Sequence, residues 1–493
     1  MAARGRIAYG PRLTRAYDGA LMAVTTSVHG SDLVELVGAD VEVPLVTGGR
    51  RRYVNLDYAA SAPALRRVKN AVDVVLDWYS SVHRGAGFKS RAATAAYEGA
   101  RESIRAFVNA RDDDSVVITR NTTDAINLLA GTLPEGTHVV AFAGEHHANL
   151  LPWKRCGATY LPVPESPAEA IAALDEALPN LPPCDDPHLV AVTGASNVTG
   201  EMWPVADLAS VAHRHGARVM VDAAQLAPHA PIDMSRDAID YLALSGHKLY
   251  APYGAGALIG RPDWLRAGDP FLRGGGAVKL VTVDDVVWAD LPDRQEAGSP
   301  NVIGAVALGA ACEVLSEIGM GRVADEEAAL LAYAVRRLGE VDGFEHYRVW
   351  PADHPRVGLM TFNLRGVPYD LLAAVLSAEY GIGIRHGCFC AHPLMMRLLR
   401  IGDELAHRLI DETREGGHPR LPGAARMSVG LGTTEADIDA LAEALAQVGS
   451  TGPRWTYRVS ADTDQYEPDP DPRPLPSLGV RMAEHHHTSG ESA

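Results

Sequence analysis

Apolar and polar residues alternate along this chain with two different periods. Short β-branched or apolar runs at Val116–Thr119, His138–Phe142, Leu189–Thr193, Arg218–Val221 and Tyr241–Leu244 are flanked by Gly, Asp or Asn and predict buried strands. Between them, stretches with apolar positions every three to four residues predict helices at Arg67–Tyr79, Ala95–Val108, Thr123–Ala130, Pro167–Leu178 and Val205–His215. Strand and helix in alternation point to a mainly parallel sheet covered by helices. Gly298-Ser299-Pro300 breaks the pattern. After it, helices are expected at Asn301–Ile318, Glu326–Leu338, Tyr369–Tyr380 and Thr434–Gln447, with strands at Tyr347–Trp350 and Leu359–Asn363. This half reads as a smaller α+β domain.

The expected organisation is an N-terminal arm (1–50) with a short helix at Ser31–Gly38, a large domain (51–320), a small domain (321–450) and a tail (451–493). Acidic residues from Asp462 to Asp471 interleave with prolines from Pro468 to Pro476, a composition that predicts disorder. His485–His487 in that tail carry no expected function.

Charge and cysteine content narrow the class. The 493 residues hold 45 Lys and Arg against 62 Asp and Glu, a net charge of −17. An acidic balance argues against sequence-independent nucleic-acid binding, which needs a basic face. The run Arg50-Arg51-Arg52 reads as a solvated loop. Five cysteines, odd in number, do not make a disulfide framework and fit a reducing compartment. The most apolar window, Val302–Val314, contains Glu313 and is too short to span a bilayer. No secretory signal is recognisable at the N-terminus. The expectation is a cytoplasmic protein bound neither to membrane nor to nucleic acid.

Candidate chemistry collects where strands end. One strand closes in Val221-Asp222-Ala-Ala-Gln225, another in Ser245-Gly-His247-Lys248. Ligands gather at the carboxyl ends of parallel strands, so an Asp and a Lys reach the same edge. A desolvated Lys is a nucleophilic amine, and an Asp can keep a pyridinium nitrogen protonated, as pyridoxal phosphate requires. An ion pair closing two loops explains the same two residues. Arg120-Asn-Thr122-Thr123-Asp124 opens a helix as an anion site or as a plain N-cap. Glu145-His146-His147 offers an imidazole to lie over a flat ring, and Asn197 follows another strand. Cys388 and Cys390 stand two apart, before His392. With no fourth residue at metal spacing, a metal site is not expected.

Taken together, the motifs resemble the class V pyridoxal-phosphate enzymes, in the branch of cysteine desulfurases and selenocysteine lyases. The resemblance rests on Asn55–Pro63, Val82–Gly85, Arg120–Asn127, Glu145–Asn149, Ser196–Val198, Val221–Gln225, Ser245–Tyr250, Gly274–Gly276, Glu296–Asn301 and Arg385–Pro393, in the family's order across roughly residues 50–450. It implies the type I fold of pyridoxal-phosphate transferases: an α/β large domain with a mixed, mostly parallel sheet and a smaller C-terminal α+β domain. It implies pyridoxal 5′-phosphate as cofactor and Lys248 as the lysine that carries it. Asp222 is then implied on the ring nitrogen, Gln225 on the ring hydroxyl, His146 stacked on the ring and Asn197 beside it. Thr122, Thr123, Ser245 and His247 are implied on the phosphate, with Ser299 reaching the neighbouring subunit's phosphate in a homodimer. Arg426 is implied on the substrate carboxylate, with Arg385 and His83 lining the substrate side. Cys390 falls on the sulfur-accepting position. L-cysteine would become L-alanine, with sulfur held as a persulfide on Cys390 for an acceptor protein. An aminotransferase, epimerase or β-lyase with Cys390 idle, or a scaffold without activity, remains open at this point. The span Gly402–Gly423 looks like an insertion.

Overall fold

A computed structural model describes residues 34–185, 187–417, 419–460 and 463–480. Most of the expected arm and the three tail histidines lie outside them. The expected helix at Ser31–Gly38 begins outside the described residues; within them, Leu36 bridges Leu65 in antiparallel fashion. The chain then makes a hairpin of β1 (Glu42–Pro44) and β2 (Arg50–Arg52), and a short strand β3 (Val54–Asn55).

Seven strands build the central sheet: β4 (Ser115–Thr119), β5 (Val139–Phe142), β6 (Ala158–Leu161), β7 (Leu189–Thr193), β8 (Arg218–Asp222), β9 (Tyr241–Ser245) and β10 (Gly256–Gly260). Their spatial order is β4-β10-β9-β8-β7-β5-β6. All neighbours are parallel except that β10 runs against both β9 and β4. The five strands legible in the sequence are present. β6 and β10 are not among them, because β6 is a half-buried edge and β10 begins and ends in glycine. Gly256 is required where it stands: a Cβ there would lie 2.6 Å from the Leu244 carbonyl and 2.8 Å from the Asn121 Cα.

Helices α1 (Arg66–Trp78), α2 (Phe88–Phe107), α3 (Thr122–Thr132), α4 (Pro167–Ala177), α5 (Val205–Arg214) and α6 (Pro262–Ala267) accompany the sheet. Apolar clusters fill both of its faces, which is why the strands read as continuous apolar runs. A projecting hairpin, β11 (Val278–Val281) with β12 (Val286–Trp288), leads to α7 (Val302–Ile318). The nearly all-apolar α7 is buried against α1 and α2, the place for a helix apolar on every side. Among the described residues no single helix is long and apolar enough to cross a membrane.

The second core lies between an antiparallel sheet and three helices: α8 (Met320–Gly339), α9 (Tyr369–Tyr380) and α12 (Glu435–Thr451). The sheet holds β13 (Phe344–Tyr347), β14 (Leu359–Leu364), β16 (Arg385–Gly387) and β17 (Ala424–Ser428), in the order β13-β14-β17-β16. β15 (Ile382–Gly383) pairs with β3, so the N-terminal strand belongs to this core. The span Gly402–Gly423 carries α11 (Asp403–Arg414), mostly exposed with only Leu409 buried, after the short α10 (His392–Leu398).

The described part of the tail departs from the expected disorder. Tyr457–Val459 (β18) and Tyr466–Pro468 (β19) form a hairpin. The segment before it docks on the buried Glu379 of α9 through the N–H groups of Arg454 and Trp455 and the Tyr457 hydroxyl. Aromatic residues at 455, 457 and 466 supply anchors that the acidic, Pro-rich composition of the segment conceals.

Candidate active site

The sheet delivers its polar side chains to one edge. β8 ends in Asp222, whose Oδ1 accepts the Ala224 N–H at 3.0 Å. β9 ends in Ser245, and the turn after it carries His247 and Lys248. This turn is tight: a Cβ on Gly246 would meet the Ala255 carbonyl at 2.8 Å. β4 leads through Asn121, which caps α3 by accepting the Asp124 N–H at 3.0 Å, with Thr122 and Thr123 in the first turn. β5 leads to Glu145 and His146.

Electrostatics follow from burial. Desolvation lowers the Lys248 amine to about 8; Asp222, Cys390 and Asp57 oppose that fall and Arg426 adds to it. A tenth or so of the amine is then neutral near pH 7. Burial raises the Asp222 carboxyl, with the Ala224 N–H and Lys248 pulling it back. His146 falls to about 3, through burial first and then the charges of Lys248, His147 and Arg426. Its Nδ1 accepts the Ala148 N–H at 3.0 Å, so the neutral ring bears its proton on Nε2. Burial raises Glu145 to about 8; it accepts from Asn149 Nδ2 at 2.8 Å and the Thr193 N–H at 3.0 Å and so anchors the loop carrying His146.

Three buried polar atoms in this group have no hydrogen-bond partner: Thr122 Oγ1, Ser245 Oγ and Gln225 Oε1. Leaving such atoms unpaired costs about 1–3 kcal/mol each, so they mark a place built for a ligand. Two hydroxyls beside the free N–H groups of α3 suit a phosphate. A buried carboxylate, an amide and a neutral imidazole suit a nitrogen heterocycle bearing a hydroxyl, and a desolvated amine suits its aldehyde. The donor set fits pyridoxal 5′-phosphate.

The cysteine loop is held beside these groups. The Ala391 N–H donates to the Cys388 carbonyl at 2.9 Å, and Phe389 and Cys390 have φ of 52° and 55°. Residues 388–391 thus form a tight turn with two non-glycine residues in the left-handed region, a strained arrangement that persists only when its surroundings enforce it. Asn197 Nδ2 donates to the Phe389 carbonyl at 2.7 Å, the His147 N–H donates to the Cys390 carbonyl at 2.7 Å, and the Arg426 guanidinium lies 5.0 Å from the Phe389 ring centroid. Cys390 is exposed. Cys388 is half-buried, donates its thiol to the Pro422 carbonyl at 2.9 Å, and has its pKa raised by burial.

Arg426 on β17 is buried, with its pKa lowered to about 10 by desolvation, and donates to the Asn197 carbonyl at 2.6 Å. Arg385 is its register partner on β16, exposed at the rim. The sequence-derived residues Lys248, Asp222, Gln225, His146, Asn197, Thr122, Ser245, His247, Arg426, Arg385 and Cys390 thus lie on adjoining elements. Thr123 is exposed at the same helix start. His83 and Ser299 stand apart. His83 pairs with Glu98 at 2.8 Å, and Ser299 is exposed in the segment after Glu296. Among the described residues no hydrogen bond, ion pair or ring contact joins either to Lys248. Sequence reasoning assigned nothing to Asp57, Glu145, His147 or Phe389. All four lie within the motifs quoted above, and Asp57 is a single acid in an otherwise uncharged run, but what each side chain does is visible only through tertiary contacts.

Comparison with known proteins agrees with this geometry. Residues 54–441 match the family model described as aminotransferase class-V. The chain is 38% identical to a probable cysteine desulfurase of Halalkalibacterium halodurans, over 80% of this chain and 92% of that protein. It is 34% identical to one of Halobacterium salinarum, over 84% and 95%. Among solved structures it is similar to the S-sulfonic acid form of the cysteine desulfurase CsdA from Escherichia coli (TM-score 0.66, 33% identity, 80% of this chain and 94% of that one). It is also similar to an apo cysteine desulfurase from Thermococcus onnurineus (TM-score 0.70, 27% identity, with the same coverage). The fold, the motif order and these relatives place the chain in the class-V aminotransferase family, in the branch of the cysteine desulfurases.

Proposed function

We propose that this protein is a pyridoxal-phosphate-dependent cysteine desulfurase that converts L-cysteine to L-alanine and keeps the sulfur as a persulfide on Cys390. The observation that carries this reading is the strained turn at 388–391, which presents an exposed thiol while its backbone is tied to Asn197 and His147. A structural cysteine needs no such turn.

Thr122, Thr123, Ser245, His247 and the start of α3 would hold the phosphate of the cofactor, Asp222 its ring nitrogen and Gln225 its ring hydroxyl. His146 would stack on the ring with Asn197 beside it, and Lys248 would be the attachment point. The bound cofactor supplies an acceptor for the electrons released when the substrate's α-proton leaves. Arg426, with Arg385 at the rim, takes the substrate carboxylate. Lys248, its amine desolvated, takes the α-proton. The Cys390 thiolate attacks the substrate sulfur; an S–S bond forms, the carbon–sulfur bond breaks, and protonation of the remaining fragment yields alanine.

His83 and Ser299, apart from Lys248 in their own chain, fit a homodimer in which each completes the other subunit's site. The exposed Cys390 fits delivery to an acceptor protein. The five free thiols fit a reducing, cytoplasmic setting.

The test is single-turnover release of alanine from L-cysteine, with mass detection of the persulfide, in wild type, Cys390→Ala and Cys388→Ala. Alanine with a persulfide that is lost in Cys390→Ala and kept in Cys388→Ala is the expected result. Cofactor absorbance that responds to amino acids without alanine release, or activity indifferent to Cys390, would overturn the reading and leave an aminotransferase, epimerase or β-lyase.

A further inference from the structure

The Cys390 turn runs into α10, which has no cap of its own. Ala391 precedes the helix without a capping side chain, and Pro393 follows His392 with no N–H to offer. The amide of His392 finds its acceptor outside the helix: it donates to His147 Nε2 at 3.3 Å. The same nitrogen lies 3.1 Å from His392 Nδ1, with the two ring centroids 4.8 Å apart. A backbone N–H can only donate, so His147 Nε2 is the acceptor in both contacts. The His147 ring is then neutral with its proton on Nδ1, and the His392 ring donates from its own Nδ1. Burial lowers the pKa of both imidazoles, and His392 lowers that of His147 further, in keeping with a neutral acceptor.

His147 holds the turn at a second point, because its own N–H donates to the Cys390 carbonyl at 2.7 Å. One residue thus grips the chain on both sides of Ala391, through its backbone at 390 and through its ring at 392. Cys390 has φ of 55°, and a left-handed cysteine persists only where its surroundings enforce it. His147 is itself well anchored. The Leu151 N–H donates to its carbonyl at 2.9 Å, and the buried Glu145 accepts from Asn149 Nδ2 and the Thr193 N–H. Its neighbour is His146, so one short loop governs both that imidazole and the placement of Cys390.

We propose that His147 and His392 are positioning residues for the sulfur step: the His147 imidazole, bonded to both the amide and the ring of His392, holds the Cys390 turn at a fixed offset from the loop that carries His146. The inference rests on the reading of Cys390 as the sulfur acceptor.

The experiment compares His147→Leu, which removes the acceptor and keeps the backbone N–H, with His147→Gln, whose side-chain oxygen can take the place of Nε2. Two quantities are measured on the holoenzyme: single-turnover persulfide formation on Cys390 from L-cysteine, and amide hydrogen exchange in peptides covering 388–398. His147→Leu is expected to slow persulfide formation about tenfold, the scale of two lost hydrogen bonds, and to speed exchange at 388–392 by a similar factor. The L-cysteine concentration that half-saturates the change in cofactor absorbance should stay the same. His147→Gln should recover most of both losses. His392→Ala, which keeps the backbone bond and loses the ring bond, should fall between the two, and it serves if the Leu variant does not fold. Unchanged rate and exchange in His147→Leu, or a Gln variant as impaired as the Leu variant, would overturn the proposal. So would a shift in half-saturation that matches the loss of rate, because a merely structural role disturbs binding and transfer together. Wild type that forms no persulfide, with exchange responding as expected, would uphold the clamp and overturn the desulfurase reading instead.

Discussion

Burial of the Lys248 amine makes a quantitative prediction about the cofactor-free protein. The amine lies at about 8 in the fold against an ordinary value of 10.5. At about 1.4 kcal/mol per pH unit, that interval is worth about 3 kcal/mol between the charged and neutral forms. The sign follows from proton counting. Between pH 8 and 10.5 the unfolded chain holds a proton on Lys248 that the folded chain has released, so stability rises with pH across this window. Below it, the buried ammonium destabilises the fold by the full amount. Lys248→Met removes the titration and keeps the volume. Denaturant unfolding of both apoproteins, from near neutral pH to just above 10.5, should show wild type gaining about 3 kcal/mol relative to the variant. Parallel pH profiles would refute the reasoning, for they would mean that the amine is solvated in the folded state. The same measurement bears on function, since the neutral amine is the form that attaches cofactor and accepts a proton.

Two further outcomes follow from strain and from buried charge. Cys390→Gly relieves a left-handed backbone at an exposed position; it should raise stability by about 1 kcal/mol in denaturant unfolding while abolishing the persulfide, and a loss of stability would show that the turn is not strained. Truncation after Thr451 strips Glu379 of the Arg454, Trp455 and Tyr457 donors. It should cost about 3 kcal/mol or more, partly recovered by Glu379→Leu in the shortened chain; an unchanged Tm on truncation would refute the docking of the tail.

Much of this protein is written in local pattern. The apolar runs of β5, β7, β8 and β9 are legible because both faces of the sheet are covered, and α7 because most of it is buried, only Glu313, Ser316 and Glu317 being exposed. Asp222 and Lys248 could be placed at one edge from strand direction alone, since parallel strands end together. Glycine-flanked β10 escaped because its apolar run, Ala257–Ile259, is short and bounded by glycines, and β6 because it is a half-exposed edge. The hairpin after residue 456 escaped because disorder is inferred from average composition, whereas docking is decided by a few aromatic anchors and one buried carboxylate.

Tertiary structure alone decided how the site is assembled. The sequence determined which chemistry is present: a lysine, an acid, an imidazole and a thiol, each beside residues that allow it to work. It did not determine that Asn197, nearly two hundred residues away, holds the Phe389 carbonyl and so fixes the Cys390 turn. Nor did it show that Asp57 faces Arg426 across the seam between two cores. Periodicity reports which side of an element is buried. The distance between two charges, and the desolvation that sets the Lys248 amine, depend on contacts that exist only once both cores have closed.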